Sequence, residues 1–216
     1  GGLSALSAND QVEIVVYDVF SVFGGDVKGD FTISNGTLTA GTVSFDGGTI
    51  KLDGNYPVGT NNVALGDGAL DDGSLSGNHN TAIGHGCMGA NTSGTQNVAH
   101  GAFVLDANTT GSYNAAMGYA AMTTNTTGNL NTAYGFAALF QNTTGTSNVA
   151  IGKGSLDQNT TGSNNSSVGT NSLNLNTTGG QNAAVGAYSL DANTTASNNT
   201  GMGYASLSAN TTGAYN

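Results

Sequence analysis

From Asn62 onward the chain alternates polar and apolar residues in a short block, breaks, and then repeats the block at a fixed interval. Blocks begin at Asn62, Asn80, Asn97, Asn114, Asn131, Asn148, Asn165, Asn182 and Asn199, 17 residues apart except for an 18-residue first unit. The consensus is N-x-A-h-G-x-x-[AS]-[LM]-x-x-N-T-T-G-x-x, where h is apolar. The opening N-x-A-h-G has the period-two alternation of a short strand. The ninth position is always Leu or Met, including Leu105, Leu139, Leu156, Leu173, Leu190 and Leu207. The fifth is always Gly, including Gly84, Gly101, Gly118, Gly135, Gly152, Gly169, Gly186 and Gly203.

A constant period with Gly, Asn and Thr at constant places is the signature of stacked structural repeats. Helical repeats are longer and poor in interior Gly. The expected fold is therefore all-β, a β-solenoid or β-roll of nine 17-residue coils over residues 61–216. Stacked strands lie about 4.8 Å apart, so nine coils would make a rod roughly 43 Å long. The tetrad N-T-T-G recurs at Asn108, Asn125, Asn142, Asn159, Asn176 and Asn210, with near-copies N-T-S-G at Asn91 and N-T-T-A at Asn193. Asn and Gly both accept the left-handed backbone conformation. N-T-T-G is accordingly expected as the corner of each coil, with Asn or Thr side chains bonded from coil to coil.

Alternation also assigns faces. The second and fourth positions share one face of the strand; the third and fifth, almost always Ala and Gly, share the other. The uniformly small face predicts close approach of a second chain, with the larger face filling the coil. A core this thin favours oligomerisation.

The remaining segments are less regular. Residues 1–24 contain DQVEIVVYDVF, read as a strand near 11–20 with two covered faces. The stretch Asn9–Val22 is similar to the last strand of a small β-domain that precedes fibre repeats, and that resemblance implies the end of such a preceding β-domain here. Residues 25–60 hold short alternating pieces separated by Gly, read as a short-strand connector, with Pro57 marking the joint. The chain lacks an initiating Met and stops on the first residue of a further repeat, so a piece of a longer protein is expected.

Composition narrows the function classes. The chain has 35 Gly, 28 Asn, no Arg and no Trp, and its net charge is −10. With three Lys there is little to neutralise phosphates, so no nucleic-acid partner is expected. No apolar run is long enough to span a bilayer, so no membrane insertion is expected. A single Cys, Cys87, excludes an internal disulfide framework.

Candidate chemistry is sparse. The N-T-T triplets match the glycosylation acceptor pattern, but their spacing alone is accounted for by a corner ladder. Asp71, Asp106, Asp157 and Asp191 share the tenth position, which suggests a calcium ladder or a solvated face; the G-G-x-G-x-D calcium signature is absent. His79, His85 and His100 fall near Cys87, but without metal-ligand spacing; His100 occupies the apolar fourth slot, where a buried, bonded His is the plain expectation. Carboxylates such as Asp10, Glu13, Asp71 and Asp72 show no glycosidase context. Thr109 and Thr110 are adjacent and point to opposite faces, so no T-x-T ice-binding plane is formed. No catalytic residue, metal or cofactor is expected, and the chain is not read as an enzyme. Aromatics at the sixth and seventh positions, Phe103, Tyr119, Phe136, Tyr188 and Tyr204, are candidates for sugar stacking or for packing between chains.

NTAIG (Asn80–Gly84), NVAIG (Asn148–Gly152) and NVALG (Asn62–Gly66) resemble the N-x-A-I-G motif of trimeric autotransporter adhesin heads, though with a longer period. The longer unit with NTTG is similar to the repeat regions of bacteriophage tail fibres of the marine and cyanophage type. The resemblance implies a parallel homotrimer acting as a rigid shaft in a virion tail fibre. Its partners would be its own copies, other tail or fibre proteins, and a host receptor reached through a distal C-terminal tip. The alternatives are a surface adhesin binding glycans through its lateral face and an extracellular filament subunit.

Overall fold

A computed structural model describes residues 60–216. The strand near 11–20 and the short-strand connector lie outside the described residues. Within them there is no helix, and nine three-residue strands follow one another: β1 (Val63–Leu65), β2 (Thr81–Ile83), β3 (Val98–His100), β4 (Ala115–Met117), β5 (Thr132–Tyr134), β6 (Val149–Ile151), β7 (Ser166–Val168), β8 (Ala183–Val185) and β9 (Thr200–Met202). They form one parallel sheet in sequence order. Register is in step with the repeat, as in Ala99 opposite Ala116 and Ala116 opposite Ala133. The chain is therefore a parallel β-solenoid with a 17-residue coil.

Each strand is too short to hold itself, and the turns between strands carry as much of the stacking as the strands do. Leu105 N donates to Ala121 O at 3.1 Å and Met122 N to Ala138 O at 3.0 Å, both one coil on. Thr126 O accepts from the backbone N of Thr109, Thr110 and Gly111 at 3.0, 3.1 and 3.3 Å, and from Thr109 Oγ1 at 3.0 Å. A carbonyl of one coil thus sits in a nest of donors on the coil before it.

The tetrad is more than a corner. Its Asn is fully buried in every coil from Asn91 to Asn193. Asn108 Nδ2 donates to Asn91 Oδ1, Asn125 to Asn108 and Asn142 to Asn125, each at 2.8 Å, and the series runs on to Asn210. A second ladder is built from the first-position Asn. Asn114 N donates to Asn97 Oδ1 at 2.9 Å and Asn131 N to Asn114 Oδ1 at 3.0 Å. The two ladders meet on one acceptor per coil: Gly111 O takes Asn97 Nδ2 at 2.9 Å and Asn108 Nδ2 at 3.0 Å. A Cβ at Gly111 would stand 2.4 Å from Asn108 Oδ1 and 2.5 Å from Gly128 O, so the fit favours glycine here, although Ala196 holds the same position in the eighth coil and accepts the same two bonds.

The left-handed backbone lies elsewhere, which corrects the expectation for the tetrad. Positive φ recurs at the seventh, ninth and seventeenth positions. The ninth is the large core residue itself, with φ from +47° at Leu173 to +53° at Met88, Leu139 and Leu207. Such a residue costs roughly 1–2 kcal/mol each. Burial offsets it: Leu105, Leu139, Leu156, Leu173 and Leu190 are fully buried. The fifth-position Gly has φ between +114° and +139°, and a Cβ on Gly84 would stand 2.3 Å from Gly101 O.

The face assignment is also corrected. The third-position residues Ala82, Ala99, Ala116, Ala133, Ala150, Ser167 and Ala184 point inward and are buried. The fourth-position residues point outward: Leu65, Met117, Tyr134, Ile151, Val168, Val185 and Met202 are 37 to 72% exposed, and His100 is exposed with them. The interior is filled by Leu or Met, by two Asn amides and by small residues, leaving no room for a larger third position. The small face meets the same chain's next coil, so its smallness is no sign of a second chain.

The first coil departs from consensus at its turn. It has no tetrad Asn; Asp72 and Ser74 make a local turn, and Leu75, 2% exposed, joins the core cluster. Cys87 holds the small eighth position; its thiol donates to Ala99 O, and burial pushes its pKa up to about 12.

Two outcomes follow. Asn142→Ala removes two donated bonds and one acceptor from the buried ladder, and is expected to lower unfolding stability by about 2–4 kcal/mol. Thr144→Ala, on the exposed second Thr of the same tetrad, should stay within about 0.5 kcal/mol. Equal losses in denaturant titrations would contradict the ladder. Cys87 should resist iodoacetamide at pH 8 in the folded chain and react once the chain is unfolded, as read by mass spectrometry.

Candidate functional site: an apolar stripe and an aromatic cleft

With the interior assigned, two outward features remain. The first is the stripe of fourth-position side chains on the outer face of the sheet, from Leu65 to Met202. Second-position residues flank it, with Val98 51% exposed. His100 breaks the stripe, and the apolar run from Met117 to Met202 has the character of an interaction face.

The second lies where the coil turns after its fifth-position Gly. His85, Phe103, Tyr119 and Phe136 form a chain of rings across coils two to five. Centroids are 5.1 Å apart for His85–Phe103, 5.9 Å for Phe103–Tyr119 and 5.6 Å for Tyr119–Phe136. The first two contacts are edge-on and the last is stacked, with planes 11° apart. Beside these rings is an open cleft of about 420 Å³. Its lining comes from three repeat positions. Phe103, Ala120 and Ala137 are seventh-position residues, Tyr119 and Phe136 sixth, and Thr123, Phe140 and Asp157 tenth.

The local fold explains the cleft. Left-handed residues at the seventh and ninth positions curl the chain tightly, so the tenth position comes back beside the sixth. Where the seventh is Ala, a trough opens between the two ridges. Phe103 occupies the seventh position one coil earlier and closes that end. Thr123 Oγ1 donates to Phe103 O at 2.8 Å, which ties the rim together. Asp157 stands at the other end, where burial raises its pKa and a hydrogen bond from the Asn174 amide partly counters the rise.

Of the aromatic candidates, Tyr119 and Phe136 are brought together with Phe103. Tyr188 and Tyr204 meet each other edge-on at 6.0 Å, three coils further along, and do not line the cleft. Phe140 and Thr123 were not legible as site residues, and Asp157 was legible only as one of an acidic series. The usable signal was the coincidence of Ala at the seventh position with bulky residues at the sixth and tenth.

The other candidates disperse. The tetrad Asn side chains from Asn91 to Asn193 are buried and hydrogen-bonded, so their amides are closed to glycosylation in the folded chain. His79 meets Asn61, His85 lies 3.6 Å from Asp67, His100 is exposed on β3 and Cys87 is in the interior. The buried His expected at position 100 is thus corrected, because the fourth slot faces outward. Among the described residues no group of three or more His, Cys, Asp or Glu is placed to hold a metal. The tenth-position carboxylates are not uniformly solvated. Asp106, like Asp157, has a raised pKa, through burial first, then opposed by His85 and reinforced by Asp71. Hydrogen bonds from Ser74 lower that of Asp72. Asp10 and Glu13 lie outside the described residues.

A carboxyl whose folded pKa is raised stabilises the fold fully below its unfolded value, near 3.8, and loses that contribution as pH rises through the folded pKa. Asp157→Asn should therefore raise the melting temperature at pH 7, by an amount that fades as pH falls toward 4. A gain that persists in acid would assign the effect to packing instead. Among known proteins, no family model, no curated protein and no solved structure matches the chain.

Proposed function

We propose that the chain is a shaft segment of a rigid fibre, a virion tail fibre or a similar surface adhesin, whose copies associate in parallel as a homotrimer. The observation that carries this reading is the unpartnered apolar stripe of the fourth position. It follows the outer face of the sheet from coil to coil, broken at His100, and a lone solenoid in water gains nothing from it. Side-by-side copies with parallel axes would place Met117, Tyr134, Ile151 and Val168 of each chain against those of its neighbours. Three such faces closing on one axis leave no stripe uncovered, whereas a filament growing end to end would leave it wet. The threefold number and the virion setting come from the likeness to adhesin heads and tail-fibre repeats.

The mechanical role follows from the stack. Each coil is bonded to its neighbours by backbone and Asn ladders, and stability in such arrays passes from neighbour to neighbour. The rod would hold a distal receptor-binding tip away from the particle. No catalytic step is required of it.

Light scattering tests the assembly. A solution mass near three times 21.3 kDa is expected for the intact chain. Ile151→Asp on the stripe should reduce it to one chain mass, while Thr144→Asp on the tetrad turn should leave it unchanged. A folded monomer at every concentration would overturn the reading.

A further inference from the structure

The aromatic cleft shares no residue with the stripe. We propose that it is a binding site for a neutral carbohydrate. The first observation is that the cleft is built from departures from the repeat. The sixth position is Ala at Ala102 and Ala187, so the coil does not need an aromatic there. Coils four and five nevertheless place Tyr119 and Phe136 side by side, 53 and 54% exposed, over troughs left by Ala120 and Ala137. Exposed rings that the fold does not require offer their area to something outside it.

The second observation is the mixture of chemistry. The rings supply apolar surface for the C–H face of a sugar. Asp157 adds a carboxylate that accepts hydrogen bonds from hydroxyl groups, and the Thr123 hydroxyl, already donating to Phe103 O, still accepts. Charge decides among ligands. A carboxylate in the cleft of a chain carrying −10 repels an anionic sugar, phosphate or nucleotide. A cation would suit Asp157 and the rings, but Lys153 occupies the sixth position of the coil that carries Asp157. It stands in line after Tyr119 and Phe136 and opposes a second positive charge there. A neutral polyol with one apolar face meets none of these penalties. A cleft of about 420 Å³ falls within the range of small-ligand sites, roughly 300–1,000 Å³.

Saturation-transfer NMR on the intact chain tests this. The probes are cellotetraose, maltotetraose and β-1,4-galactotetraose, with trigalacturonate and choline as anionic and cationic comparisons. At least one neutral tetrasaccharide should receive saturation at its ring C–H protons. Replacing both rings, Tyr119→Ala with Phe136→Ala, should weaken it by about tenfold or more, corresponding to ~1.4 kcal/mol. Asp157→Asn should weaken the same sugar, and Tyr204→Ala, outside the cleft, should not. Alanine is already present at the sixth position in other coils, so the double variant should fold, and its melting curve checks that. Binding by none of the neutral sugars, undiminished binding by the folded double variant, or preference for choline or trigalacturonate would each overturn the proposal.

Discussion

A buried amide left without a partner costs about 1–3 kcal/mol, and this constraint organises the stacking of the coils. Each coil from the second to the eighth encloses two Asn side chains, and each ladder draws partners from the neighbouring coils. Asn142 finds its acceptors in Asn125 Oδ1 of the preceding coil and in Gly145 O of its own. In return its own Oδ1 receives Asn159 Nδ2 at 2.9 Å. The amides satisfy one another only when coils are stacked in register, so a slip of one residue would strand every amide at once. Two Asn per coil therefore specify the stacking more sharply than the apolar side chains, which would tolerate sliding.

The same constraint explains why the core is thin and its backbone unusual. An interior holding two amides and one Leu has space for only small residues at the third and eighth positions. Closing so narrow a coil requires sharp bends, and these come from left-handed residues at three places, including the core Leu itself. The cost in backbone conformation is tolerated because the side chain is then aimed at the axis and fully buried. Glycine relieves the backbone at the fifth position, where coils touch, and at most tetrads, where an amide oxygen crowds the space of a Cβ; Ala196 shows that one tetrad takes a methyl with its ladder bonds intact.

Much of this was legible from residue order alone. The period, the all-β class, the coil boundaries and the atypical first unit all follow from the spacing of Asn, Gly and Leu. The choice of inner face was not. Val98 and His100 look like core residues beside Ala99, because hydrophobicity normally ranks burial. The ranking fails here because interior volume is set by the Asn ladders, which alternation along one strand does not reveal. The left-handed positions were hidden for a related reason: Leu and Met are poor choices for that conformation, and only their packing makes it bearable. The cleft was half legible. Tyr119 and Phe136 stood out as unnecessary aromatics, but the return of the tenth position beside the sixth depends on the coil's curl.

An array bonded only between neighbours has an inheritance as well as a mechanics. Unequal exchange between near-identical 17-residue units would lengthen or shorten the rod by whole coils, about 4.8 Å at a time, and every daughter would keep its ladders intact. Length can drift without passing through a misfolded ancestor. The cleft is the opposite kind of feature. It exists because coils three to six differ from one another, and copying any one of them over its neighbour would erase it. In such a rod the invariant letters keep the structure, and the irregular ones record where along it something happens.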